Sequence, residues 1–169
     1  VQSDIKDWGA NSTFEFEVLK IPLEAGMQFS GYQVSPQKIF ANQFMENNPQ
    51  PDNQVDASLF SLFLQGRPQL ASRLHAEMGI KFNYYHSTHA SRKKNSFTHV
   101  EPRISLHYTP NATFNSYVAY ACKHQYINLI TTSSVGFPTD FWIASSGDIP
   151  AQQGHHFSIG SVYKPASNI

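Results

Sequence analysis

Residues 97–130 contain two stretches in which side chains alternate strictly between two chemistries, and no helical period is present. From Val100, the even positions Pro102, Ile104, Leu106 and Tyr108 are apolar or aromatic. The odd positions Glu101, Arg103, Ser105 and His107 are charged or polar. A period of two places successive side chains on opposite faces of a pleated strand. The resulting sheet has one apolar face and one wet face. Two architectures satisfy that constraint: a soluble sandwich with the apolar face inside, and a transmembrane barrel with the apolar face outside.

The same alternation recurs along the chain. Thr13–Val18 alternates cleanly. Leu23, Ala25, Met27 and Phe29 oppose Glu24, Gly26, Gln28 and Ser30, and the strand continues towards Pro36. Asp56–Leu64 is apolar on both faces, and its Phe and Leu content, brevity and following Gly66 and Pro68 favour a strand over a helix. Leu74, Ala76, Met78, Ile80, Phe82 and Tyr84 line one face of the longest pattern, opposite His75, Glu77, Gly79, Lys81 and Asn83. A last strand spans His155–Tyr163. The reading is all-β: an antiparallel up-and-down meander of about seven long strands within one segment, 1–169.

Short connections at Lys20–Pro22, Gly66–Gln69 and Pro110–Asn111 alternate with long ones at about 37–54, 86–96 and 131–153. Strands of ten or more residues, short turns on one side and long loops on the other are the layout of an outer-membrane barrel. No apolar run reaches the roughly 20 residues of a membrane helix. Barrel strands leave no such run, because they alternate.

Composition narrows the function classes. Charged residues make up 14% of the 169, with 12 basic and 12 acidic residues and no net charge. The chain therefore lacks the basic surplus typical of nucleic-acid binders. Cys122 is the single cysteine, so no intramolecular disulfide forms. It stands beside no obvious catalytic base, the serines lack a nucleophile elbow, and no glycine-rich phosphate loop occurs. The chain does not read as an enzyme and implies no cofactor. His86–His89 and His155–His156 lack ligand spacing, and neighbours on a strand point to opposite faces, so no metal site is expected.

The ligand-binding candidates fall in three groups. Phe137, Asp140 and Trp142 put aromatics beside a carboxylate in a long loop, suited to stacking on and hydrogen bonding a sugar. Arg92, Lys93 and Lys94 form a basic loop tip that attracts anions. Glu101 and Arg103 share the wet face, where a charge network or ligand contact fits, because Arg on a lipid face costs about 2–4 kcal/mol.

Several segments resemble TonB-dependent outer-membrane receptors. Leu62–Gln65, followed by Leu74, Gly79 and Tyr84, is similar to the family's recurrent hairpin. Glu101-Pro102-Arg103-Ile104-Ser105-Leu106, with Tyr108, resembles a family barrel strand. Gln125–Leu129, Pro138–Trp142 and Ile149–Gln152 resemble the next strand and loop, and Gly26–Phe29 a preceding hairpin. The resemblance spans about residues 55–165 and is nearest to Bacteroidetes-type receptors.

The resemblance implies a segment of a nutrient-uptake receptor or transporter in the bacterial outer membrane. Its partners are then outer-membrane lipid, and the rest of a larger barrel or a second chain paired at the strand edges. The family's plug, TonB-binding segment and aromatic strand end have no match here, so TonB is expected to act only through parts missing from this sequence. The alternative is a soluble β-sandwich module recognising a sugar or peptide.

Overall fold

The computed structural model describes residues 4–35, 54–89, 94–134 and 137–165. Ten strands occur among them: β1 (Asp4–Val18), β2 (Ile21–Ser35), β3 (Val55–Gly66), β4 (Gln69–Ala71), β5 (Leu74–His89), β6 (Lys94–Asn111), β7 (Phe114–Gln125), β8 (Ile127–Ser134), β9 (Phe137–Ala144) and β10 (Gln152–Tyr163). The main sheet is an antiparallel meander in the order β1-β2-β3-β5-β6-β7-β10, with the short β4 on β5. The β8–β9 hairpin forms a separate two-stranded sheet.

Short turns gather at one end of the meander. Leu19 and Lys20 close β1–β2 with φ of 52° and 63°. Two central residues with positive φ suit the twist of a tight hairpin. The turn sits one residue earlier than the sequence suggests, because Ile21 and Pro22 already pair with Val18 and Glu17. At the β6–β7 turn the Asn111 side-chain oxygen accepts hydrogen bonds from the Thr113 and Phe114 amides and the Thr113 hydroxyl. That Asx arrangement closes the hairpin locally.

Two of the expected long loops are largely strand. β5 runs to His89 and β6 starts at Lys94, with Ser87 opposite Asn95 and Thr88 opposite Lys94. Residues 86–96 look like a loop in composition because both faces turn polar there, yet the ladder continues. Within 131–153, β8 and β9 pair from Ile127↔Ala144 to Ser134↔Phe137. The loop expected at 37–54 lies outside the described residues apart from Gln54.

Register sorts the side chains as the alternation requires. Lys81 faces Glu101, Ile80 faces Pro102, Met78 faces Ile104 and Ala76 faces Leu106. Leu74, Ala76, Met78, Ile80, Phe82 and Tyr84 thus share a face with Ile104, Leu106 and Tyr108, while Lys81 and Arg103 share the other. A slip of one residue would exchange the faces of a whole strand.

Burial along that register is inverted relative to a water-soluble sheet. Met78, Ile80 and Phe82 are 43%, 51% and 40% exposed, whereas Ser61, Asn83 and Ser87 on the opposite face are 0%, 2% and 0% exposed. Ser61 donates to the Asn83 side-chain oxygen at 2.6 Å, so this buried polar pair is satisfied internally. The apolar core is small. Val34, Val55 and Ala144 form one cluster, and Ala57, Tyr85 and Tyr126 form another. Both lie where the hairpin segment meets the polar face of the sheet.

Glycines facing large side chains pin the register. Gly26 lies opposite Phe63, Gly31 opposite Trp8 and Gly160 opposite Tyr117. A Cβ at Gly26 would sit 2.5 Å from Phe63 Cζ and 2.6 Å from the Ser12 carbonyl oxygen. The ring lies over the glycine and fills the gap, a cross-strand device of twisted sheets. Gly26→Ala is expected to lower unfolding free energy by about 1–3 kcal/mol through overpacking. Denaturant titration of the variant checks this, and an unchanged midpoint would contradict the packing.

Candidate functional site beneath the hairpin

The polar face of the sheet carries an aromatic and histidine array at the end where the longer connections lie. β5 supplies Asn83, Tyr85 and Ser87, and β6 supplies Phe97, His99 and Glu101. Each set recurs at every second residue, so one strand presents all three to the same side. The other half of the array comes from His124 near the end of β7 and Tyr126 between β7 and β8.

His124 does not follow the alternation of β7. The β6–β7 ladder stops at Arg103↔Ala121, with Ala121 on the Arg103 face. Three residues further, strict alternation would turn His124 to the apolar side. It stacks instead on His99, with ring centroids 4.0 Å apart and planes within 16°. The end of the ladder allows this reversal.

The contacts around this pair are closely spaced. The Glu101 carboxylate accepts from the His124 amide at 2.6 Å. Its same oxygen lies 3.4 Å from His124 Nδ1, without hydrogen-bond alignment. The Tyr126 hydroxyl and His99 Nδ1 are 3.0 Å apart. Tyr126 stacks on Tyr85 at 4.6 Å, and Phe97 stands 6.2 Å from Tyr85 and 6.3 Å from His99. Burial pushes the Tyr126 hydroxyl up to about 12, and the Glu101 charge adds to the rise, outweighing the hydrogen bond from Asn83. Tyr126 is therefore a neutral hydroxyl at physiological pH.

Backbone bonds close the site from above. The Ser145 carbonyl accepts from Tyr85 and Ser87 hydroxyls at 3.3 and 3.0 Å. The Ser145 amide donates to the Tyr126 carbonyl at 2.7 Å. The hairpin segment thus folds inward over the polar face. Beneath it is a cleft of about 420 Å³ lined by residues that include Asp7, Tyr32, His124, Tyr126 and Trp142. One carboxylate among aromatic rings and amphipathic tips suits reversible binding of a small ligand.

The sequence candidates are distributed unevenly around this cleft. Trp142 lines it and packs beside the Val34–Val55–Ala144 cluster. Glu101 holds its wall through His124. Arg103 is on the same face but lies over Gly79, where an added Cβ would be 2.9 Å from its Nε. At Glu101 the wet-face contact is with His124 of the neighbouring strand β7. Asp140 is exposed on β9 opposite Thr131. Phe137 pairs with Ser134 at the far end of the hairpin. Lys94 is exposed at the start of β6, and Arg92 and Lys93 lie outside the described residues.

Sequence reasoning missed Tyr85, His99, His124 and Tyr126. Tyr85 and His99 continue the odd, wet faces of β5 and β6, so their placement was available from the period. His124 was hidden by the break in alternation.

A second histidine pair marks the short-turn end of the same face. His75 and His107 are cross-strand partners with parallel rings 5.0 Å apart. The Ser105 hydroxyl lies 3.1 Å from His107 Nε2. Arg67 and Glu77 pair nearby at 3.2 Å, but both are well exposed, so the pair contributes little stability. No group of three or more His, Cys, Asp or Glu with metal-holding geometry occurs among the described residues.

No family model matches the chain, and no curated protein matches it. Solved structures do. A chain of the FpvAI–pyocin S2 complex is 13% identical, matching 72% of this chain and 19% of its own length with a TM-score of 0.48. The alcaligin outer-membrane receptor FauA from Bordetella pertussis is 19% identical, matching 73% of this chain and 22% of its own length with a TM-score of 0.46. The chain spans about a fifth of the length of these structures. The narrower Bacteroidetes-type resemblance finds no support in either.

Tyr126 is expected to be the anchor of the inward fold. Tyr126→Phe removes one hydrogen bond and should cost about 0.5–1.5 kcal/mol. Tyr126→Ala also removes the stack and should cost about 3–5 kcal/mol. Hydrogen exchange at the Ser145 amide should accelerate in that order, and equal exchange in both variants would contradict the anchoring role.

Proposed function

We propose that this chain forms part of the wall of a TonB-dependent outer-membrane receptor barrel that takes up a nutrient, with lipid against its apolar face and solvent or cargo against its polar face. The observation that carries the reading is the inverted burial: exposed Met78, Ile80 and Phe82 opposite buried Ser61, Asn83 and Ser87. A soluble sandwich, the alternative reading, buries its apolar face against a second sheet. Here the β8–β9 hairpin packs on the polar face instead.

The dimensions support the same reading. Leu74 to Tyr84 covers ten residue steps, about 33 Å along a strand. Tilted by about 45°, that run spans roughly 23 Å, against a lipid-facing band of about 25 Å. Polar residues replace the apolar ones beyond it, at His86, Thr88 and Ser96. On this reading the bacterial outer membrane is the location, and any contact with TonB is made by segments outside this sequence.

The sheet edges are part of the proposal. Among the described residues, β1 pairs only with β2, and β10 only with β7. In hydrocarbon, each unpaired backbone group costs several kcal/mol. Both edges therefore take a further strand, from a larger barrel or a second chain. The cleft beneath the hairpin then opens towards the barrel interior, where Trp142 and Asp7 meet cargo. Phe137, Asp140, Arg92, Lys93 and Lys94 remain candidates for first contact with it at the long-connection end.

Charge placement tests the reading. In lipid vesicles, Ile80→Arg is expected to lower unfolding free energy by about 2–4 kcal/mol, and Asn11→Arg on the polar face by much less. A monomer stable in plain buffer, with Ile80→Arg neutral, would overturn the barrel in favour of the sandwich. Amide exchange adds a second check: strong protection of both β1 and β10 in a single-chain particle would overturn the proposed edge pairing.

A further inference from the structure

We propose that the cleft beneath the β8–β9 hairpin binds a small organic cation, a substituted ammonium group held by the Asp7 carboxylate and the faces of Tyr32 and Trp142. The inference rests on reading that cleft as the cargo-facing site, and it names the chemical class of the ligand.

Separate parts of the chain build the cleft. Asp7 on β1 and Tyr32 on β2 are partners in register, which sets their Cβ atoms about 4.5–5.5 Å apart on one face. Trp142 comes from β9, and Tyr126 from the residue between β7 and β8. Tyr32 and Trp142 both pack on the Val34–Val55–Ala144 cluster. Tyr32 also packs on the cluster of Ala57, Tyr85 and Tyr126. Apolar packing thus places the rings before any ligand arrives.

The charge balance selects a cation. Among the described residues, no Lys or Arg lines the cleft. Lys6, beside Asp7, points to the other face by alternation. His124 stands against the Glu101 carboxylate, with Nδ1 3.4 Å from its oxygen, so that pair adds no positive surplus. Asp7 is exposed, and no ion pair or hydrogen bond engages it among the described residues. A positive group in the cleft is drawn both by that carboxylate and by the negative faces of the rings.

Other ligand classes fit the lining less well. An anion meets Asp7 and no fixed cation. A sugar needs donors, yet the Gln125 side-chain amide donates to the Ile127 carbonyl at 2.9 Å, and the Tyr126 hydroxyl is held at His99 Nδ1. A calcium ion takes about six to eight oxygen ligands, far more than one carboxylate supplies. A volume of about 420 Å³ admits a group of several carbon atoms.

Choline and its neutral isostere 3,3-dimethylbutan-1-ol, in which carbon replaces the charged nitrogen, test the ligand class. Trp8→Phe leaves Trp142 as the single indole of the chain. Its fluorescence, with calorimetry in the same maltoside detergent, reports binding. Choline should bind at least about tenfold more tightly than the alcohol, a difference of about 1.4 kcal/mol. Asp7→Asn should weaken choline by about tenfold and leave the alcohol unchanged. Tyr32→Leu, checked for strand circular dichroism, should weaken choline as well. Equal binding of the alcohol would overturn the proposal. So would tighter binding of glucose or of 3,3-dimethylbutanoate, an unaffected Asp7→Asn variant, or no saturable choline binding. The measurement does not depend on lipid contact. Failed choline binding beside a destabilising Ile80→Arg in vesicles strikes the ligand class alone, and bound choline beside a neutral Ile80→Arg strikes the barrel alone.

Discussion

The rest of the structure depends on one constraint: each strand must satisfy two different environments on its two faces. Alternating side chains make this possible, and the register from β1 to β10 keeps like faces together across the sheet. The polar side chains then lie on the face crossed by the hairpin, where Ser61 and Asn83 find each other. The apolar ones face away from the hairpin and, among the described residues, from any second layer. Full burial of a side chain such as Ile80 or Phe82 stabilises by about 1.5–3 kcal/mol. In water the outward rows of β2, β3, β5 and β6 would forgo much of that contribution. In hydrocarbon they lose nothing, and the small protein core beneath the hairpin suffices.

The inward fold of β8–β9 follows from the same partition. A polar sheet face cannot form an extensive dry core, so the hairpin docks through a few apolar residues, Val34, Val55 and Ala144, and through directed contacts. The Ser145 carbonyl and amide and the Tyr126 ring are those contacts. Among the described residues these contacts are few, the circumstance in which segments open locally at low energetic cost. A small cleft between wall and hairpin, lined by Asp7, Tyr32 and Trp142, is the consequence for function.

Much of the sheet was legible because its information is periodic. The faces of β5 and β6, including Ile80 outward and Lys81 inward, follow from alternation alone. The extension of those strands through 86–96 was not legible, since polar residues on both faces resemble a loop whether or not the ladder continues. The hairpin at 127–144 was masked in the same way by its Ser, Thr and Gly content. The pairing of Gly26 with Phe63 depends on register between strands some 37 residues apart, which no local pattern carries. Glu101 was recognised as a wet-face residue, but its partner was not, because His124 reaches it only after the β6–β7 ladder ends.

The central claim is that the face bearing Met78, Ile80 and Phe82 contacts lipid. Its most direct test is a single tryptophan moved one residue at a time from 78 to 83, in protein lacking Trp8 and Trp142, within vesicles of brominated phospholipid. Lipid-borne quenching should alternate, strong at 78, 80 and 82 and weak at 79, 81 and 83, since successive strand residues face opposite sides. Uniform quenching, or alternation in the opposite phase, would contradict the account.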